Sequence, residues 1–165
     1  MVEPWLRGTL TEYSAVTRQV LHALQLAEED IERWCADLSD LEVNARPAGV
    51  ASVAYHLRHI ARSLDRLLTY AEGRGLDERQ LASLGAEMAA GAVTSEVLGE
   101  VRLGLLHASQ RIAAVGDREF DERRSVGRAA LPTTLGGLLV HCAEHTQRHV
   151  GQAITTSQIV RSARE

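Results

Sequence analysis

The sequence predicts an all-α protein with an up-down four-helix bundle core, an extra short helix and a long connection before the last helix. Its 165 residues are 45% hydrophobic but only 4% aromatic. Leu, Val, Ile and Ala must therefore supply the core, and Leu and Ala also favour helix. Apolar residues recur at helical spacing over long stretches. Only three prolines interrupt the chain, which is compatible with long helices.

Four long segments carry this helical spacing. The first covers residues 13–36, and the second follows Ser52 as its N-cap and ends at Gly73. The third follows Thr94 as its N-cap and stops at Gly116. The last begins after Thr133 or Thr134 and continues to about residue 162. These segments are the four predicted helices of the bundle.

The segments between these helices differ in character. Residues 38–49 are rich in turn residues and are predicted to form a loop, whereas Asp77 is the predicted N-cap of the extra short helix. Residues 117–132 are polar and Arg-rich without a helical period, so we expect a long, partly extended connection. Because no repeat or linker divides the chain, we expect a single domain over residues 1–165.

Composition argues against several functional classes. The net charge of −4 lacks the basic excess with which proteins neutralise nucleic acid phosphates. The first residues lack the regions of a signal peptide, and no apolar run approaches the ~18 residues of a membrane span. Two cysteines, Cys35 and Cys142, are too few for a disulfide framework. We therefore expect a cytoplasmic protein with no nucleic acid or membrane partner.

Histidines carry the strongest chemical signal. His141, His145 and His149 recur every four residues on the last predicted helix, so they stack along one face. Two imidazoles spaced as H-x-x-x-H on a helix can bind one metal ion. A third ligand must come from another element, and the second helix offers His56 and His59. The spacing therefore predicts a divalent metal site between these two helices.

Periodicity does not choose between the two histidines of the second helix. The centre of its apolar stripe lies closer to His56 than to His59. His59 falls on a polar stripe with Tyr55 and Arg66, which is either exposed to solvent or the wall of a wet pocket. Both residues remain candidates on this argument.

The last helix also contains a competing pattern. His141, Glu144 and His145 fit H-x-x-E-H, in which both histidines bind zinc and the Glu is the base of an inverted zincin peptidase. This pattern is short, and a peptidase is the weaker alternative. Cys142 fits a fourth metal ligand or a reactive thiol, but a buried structural cysteine is the favoured interpretation.

Two motifs resemble those of the DinB-like superfamily. Residues 52–63, SVAYHLRHIARS, resemble its second-helix motif, in which a Ser near the helix start precedes the metal histidine by seven residues. Counted from Ser52, this position is His59. Residues 145–152, HTQRHVGQ, resemble its last-helix motif H-x-x-x-H-x-G-Q. The family commonly carries Arg after the final histidine, where this chain has Val150.

The resemblance implies a site in which His59, His145 and His149 bind zinc, nickel or a similar ion, often in a homodimer. Better understood relatives are transferases and isomerases that use bacillithiol, mycothiol or glutathione. We therefore expect a thiol S-transferase acting on a small electrophilic substrate. The alternatives are a metal-dependent hydrolase and a non-enzymatic metal-binding module. Arg148 and Arg62 are the candidates for binding a carboxylate of the thiol cofactor.

Overall fold

The computed structural model describes residues 2–116 and 118–163, most of them in helices, and confirms the all-α prediction. In chain order the helices are α1 (Ala15–Cys35), α2 (Asp40–Asn44), α3 (Val53–Ala71), α4 (Glu78–Ala86), α5 (Thr94–Ala113) and α6 (Leu135–Ser162). Short 3-10 turns lie at Pro4–Leu6 and Pro47–Gly49. Strands β1 (Arg123–Val126) and β2 (Leu131–Thr134) form an antiparallel hairpin.

Helices α1, α3, α5 and α6 form the bundle. Each packs on two of the others, in the ring order α1, α5, α3, α6. Helices α1 and α3, which follow each other among the long helices, therefore lie at diagonally opposite positions in the bundle, and so do α5 and α6. Each of these two pairs needs a long connection. Leu24, Leu57, Ile60, Val101 and Leu139 are almost fully buried at the centre. Burial of each large aliphatic side chain contributes about 1.5–3 kcal/mol, so this core holds α3 firmly against α6.

The predicted loop 38–49 contains a helix, α2, and the loop prediction was wrong there. Ser39 Oγ accepts a hydrogen bond from the Glu42 backbone N–H, and the Glu42 carboxylate accepts one from the Ser39 N–H. This reciprocal capping box stabilises a helix too short to show a hydrophobic period.

Two helix starts also differ from the prediction. The first helix begins after Ser14, whose side chain accepts from the Thr17 N–H, and not at Tyr13. The predicted N-cap Thr94 is the first helical residue of α5, and Val93 is the N-cap. The carboxylate of Asp40 accepts from the Thr94 N–H at 2.7 Å. A side chain of α2 therefore accepts from one of the N–H groups that have no partner within the first turn of α5.

The other capping predictions hold. Ser52 Oγ accepts from the Tyr55 N–H at the start of α3, Asp77 caps α4, and Thr134 Oγ1 accepts from the Gly137 N–H at the start of α6. The connection before α6 is partly extended, as expected, because it contains the β1–β2 hairpin. Asp117, with which the predicted connection begins, lies outside the described residues. Across residues 2–116 and 118–163, none of the helices combines the length and apolar character needed to span a bilayer.

Candidate metal centre

Helices α3 and α6 bring together the three histidines that the motifs indicate. His59 projects from α3, and His145 and His149 project from successive turns of α6. One ring nitrogen from each residue can be chosen so that the three nitrogens lie within 4.8 Å of one another. His59 Nε2 lies 2.8 Å from His145 Nε2, and the ring centre of His149 lies 4.4 Å from that of His59 and 4.6 Å from that of His145. This group can hold a metal ion.

The spacing of the donor atoms fits a first-row divalent ion after a small adjustment. Two imidazole nitrogens at about 2.0–2.1 Å from a tetrahedral ion are about 3.3 Å apart. The His59 and His145 nitrogens, now 2.8 Å apart, need to separate by roughly half an ångström to admit the ion.

Burial keeps two of the imidazoles in the form that binds metal. Burial, together with positive charge on neighbouring groups, chiefly His59, lowers the pKa of His145 to about 4. The same two causes, burial first, lower the pKa of His149 to about 3. Both rings are therefore neutral at pH 7 and carry a free lone pair.

Glu87 is part of the site, and the sequence analysis missed it. It follows α4 directly, and its side chain is buried. Its Oε2 lies 2.7 Å from His59 Nδ1, and its Oε1 accepts a hydrogen bond from Arg66 Nη1 at 2.8 Å. Because Glu87 lies 28 residues from His59, no local motif indicates this contact.

His56 is buried beside the group and does not belong to it. Its Nδ1 lies 3.0 Å from His149 Nδ1, so one of the two rings donates and the other accepts. Burial, with a smaller contribution from charge on His59, lowers the pKa of His56 to about 4. The apolar stripe of α3 thus correctly placed His56 toward the core. The ring of Tyr55 stacks on that of His59, with centres 5.4 Å apart.

The competing pattern on α6 does not form a second group. His141 is half-exposed, and its Nδ1 lies 3.1 Å from Glu144 Oε2. In the described part of the chain, His145 converges with His59 and His149, whereas His141 lies outside the ligand group. Cys142 is fully buried in the apolar core, where burial raises the pKa of its thiol to about 12. The structure therefore favours the reading of Cys142 as a structural cysteine.

The two arginines predicted to bind a carboxylate already have protein partners. Arg62 donates from Nε to Glu100 at 2.7 Å and from Nη1 to the Ser83 carbonyl at 3.2 Å. Arg148, which is exposed, pairs with Glu144 one turn earlier on α6. A role for either in thiol binding stays a prediction. Val150, at the position where the family commonly has Arg, is buried in the core.

The sequence model of the DinB superfamily matches residues 23–153. The chain belongs to the DinB superfamily. The matched region includes all of α3, α4 and α5 and the part of α6 that carries His145 and His149, so the family pattern and the three-histidine group coincide. No curated protein and no solved structure shows significant similarity to the chain. Membership thus agrees with the helical fold and with a histidine group suited to a metal.

Proposed function

We propose that this DinB superfamily protein is a metal-dependent thiol S-transferase. His59, His145 and His149 would hold Zn²⁺ or Ni²⁺, and a low-molecular-weight thiol such as bacillithiol, mycothiol or glutathione would be the cofactor. The thiol would lose its proton to solvent, and its sulfur would form a bond to carbon of a small electrophile while the leaving group departs with its electron pair. We also propose that the protein acts in the cytoplasm.

The convergence of three imidazoles carries this proposal. A divalent ion held by three neutral ligands keeps its charge and an open position, and it lowers the pKa of a thiol bound there. The protein's part is to hold the three donors on two rigid helices that the apolar core fixes together. Burial of His145 and His149 keeps these donors unprotonated.

The state of the nearby carboxylates favours a thiol over water as the nucleophile. Glu87 and Glu144 contact histidines of this region, and each is also paired with an arginine, Arg66 or Arg148. Glu87 is held on both sides and is not free to act as a general base, whereas Glu144 contacts His141, which lies outside the ligand group. Free water has a pKa near 15.7 and a free thiol a pKa of about 8.5, so water depends more strongly on a general base to lose its proton.

The test compares protein loaded with Zn²⁺ or Ni²⁺ with the same protein stripped by a chelator. Each form is mixed with glutathione, bacillithiol or mycothiol and with a chromogenic electrophile, and conjugation is followed by absorbance. We expect the loaded form to accelerate conjugation with one of the thiols and the stripped form to lose this activity. His149→Ala, which removes one donor, should behave as the stripped form does.

Other outcomes separate the alternatives. Turnover of ester or amide substrates by the loaded protein without thiol would indicate a metal-dependent hydrolase. Tight metal binding without conjugation or hydrolysis across the panel would indicate a non-enzymatic metal-binding module. Either result overturns the transferase proposal and leaves the metal centre in place.

We also propose that the protein forms a homodimer, as membership of the superfamily suggests. Leu103 and Leu106 support this, because each is 53% exposed on the outer face of α5. Such apolar side chains on one helix face are typical of an interface. Light scattering coupled to size-exclusion chromatography should give twice the mass of 18.0 kDa for one chain. The mass of a single chain at micromolar concentration would contradict this.

A further inference from the structure

The buried carboxylate of Glu87 lies between two side chains of α3. One oxygen faces His59 Nδ1 at 2.7 Å, and the other accepts from Arg66 at 2.8 Å. Both residues of the ion pair are buried. A buried ion pair seldom adds net stability, because the loss of hydration opposes the attraction between the charges. The contact of the Glu87 carboxylate with His59 therefore indicates a role in the metal centre.

The contact defines which nitrogen of His59 carries the proton. An ionised carboxylate can only accept hydrogen bonds, so His59 Nδ1 must be protonated to donate to Glu87. His59 Nε2 then bears a lone pair, and this is the nitrogen that faces His145. Glu87 thus sets both the tautomer and the ring orientation that a metal ligand needs, as carboxylates behind metal-binding histidines do.

The segment that supplies Glu87 is attached to α3 mainly through polar contacts. Each residue of α4 is partly or largely exposed. Arg58 donates to the Ala89 carbonyl at 2.7 Å, and Gln80 Nε2 donates to Thr69 Oγ1 at 2.9 Å. Because little apolar surface holds α4 in place, its attachment depends on such polar contacts, and Glu87 makes two of them.

We infer that Glu87 is a positioning residue that presents His59 to the metal, and that it links metal affinity to the docking of α4 on α3. The inference rests on the metal centre proposed above. Linkage is reciprocal: if docked Glu87 strengthens metal binding, bound metal strengthens the docking of α4 by the same factor. The protein would therefore hold α4 most firmly when its metal site is filled.

The first measurement is the affinity for Zn²⁺, obtained by competition with a chromophoric chelator. Glu87→Ala should weaken binding by about 10- to 100-fold. Glu87→Gln should weaken it less, because the amide oxygen still accepts from His59 Nδ1–H but carries no charge. Glu100→Gln is the matched control, since it removes a carboxylate that pairs with Arg62 on the same face of α3. It should bind Zn²⁺ as the wild type does.

Two further readouts distinguish positioning from a general effect on folding. Nitrogen-15 NMR of the metal-free protein should show His59 protonated at Nδ1, and Glu87→Ala should remove this preference. Zn²⁺ should slow hydrogen exchange at the amides of α4 in the wild type and have no such effect in Glu87→Ala. Hydrogen exchange at the buried amides of α5 should be the same in both proteins.

The outcomes separate this inference from the proposal on which it rests. Wild-type Zn²⁺ affinity in folded Glu87→Ala would overturn the role of Glu87 and leave the metal centre intact. A wild-type protein that binds neither Zn²⁺ nor Ni²⁺ would overturn the metal centre, and the linkage with it. A drop in affinity without any change in the His59 tautomer would also overturn positioning as the cause.

Discussion

His59 Nε2 lies 2.8 Å from His145 Nε2, although 86 residues separate the two in the chain. The contact exists because α3 and α6 are neighbours in the bundle ring, held together by buried apolar side chains. Two imidazole nitrogens this close can share one proton or bind one metal ion. The donor geometry of the site is therefore a property of helix packing.

Removal of a ligand should abolish metal binding. We expect wild-type protein, purified without a polyhistidine tag, to carry close to one Zn²⁺ or Ni²⁺ per chain. His59→Ala and His145→Ala should lose the ion, because two imidazoles alone hold it weakly. His107→Ala removes an exposed histidine of α5 and serves as the control. Elemental analysis by mass spectrometry gives the ratio, and an unchanged ratio in both site variants would contradict the assignment.

The metal-free protein should lose stability as the pH falls from 6.5 towards 4. In the unfolded chain His145 and His149 take up protons near their usual pKa of about 6.5, whereas burial in the folded protein lowers these values to about 4 and 3. Between these limits the unfolded state binds more protons, so acid favours unfolding. Urea midpoints at several pH values measure the effect.

The control for this pH dependence is a variant that lacks the two titrating groups. His145→Ala/His149→Ala should show a shallower loss of stability between pH 6.5 and 4 than the wild type. Equal slopes for the two proteins would show that other groups cause the acid sensitivity.

Gly104 should not tolerate a side chain. A Cβ at this position would lie 2.7 Å from the Cβ and 2.9 Å from the Cα of Ala61, where α5 crosses α3. Gly104→Ala should therefore lower the free energy of unfolding by about 1–3 kcal/mol. Gly99→Ala, in open space on the same helix, should instead raise it by about 0.5–1 kcal/mol. Urea denaturation tests both, and equal effects would contradict the close approach of the helices.

Neither cysteine should react in the native protein. Burial raises the pKa of Cys35 and of Cys142 to about 12, so almost no thiolate forms at pH 8. A chromogenic disulfide reagent should label neither thiol in buffer and both in concentrated urea. Cys142→Ala should also keep its metal. Loss of metal in that variant would instead support Cys142 as a fourth ligand.

Local sequence signals were reliable where the relevant interaction is local. Ser52, Asp77 and Thr134 cap the helices that they were predicted to begin, because each accepts a hydrogen bond from an N–H three residues later. Prediction was wrong at α2, where the local capping box of Ser39 and Glu42 was overlooked, and at the start of α5, where a distant group intervenes. The Asp40 carboxylate binds the Thr94 N–H, so α5 begins one residue earlier than its sequence suggests.

The sequence by itself determined the four long helices and the pairing of His145 with His149, since the 3.6-residue helical turn places residues four apart on one face. Its motifs also indicated His59. Tertiary structure decided what each histidine of α3 touches. His56 and His59 lie about 60° apart around the helix, and the packing of α3 on α6 turns one toward His149 Nδ1 and the other toward His145 Nε2. It also decided the place of Glu87, because only the docking of α4 carries that carboxylate to His59.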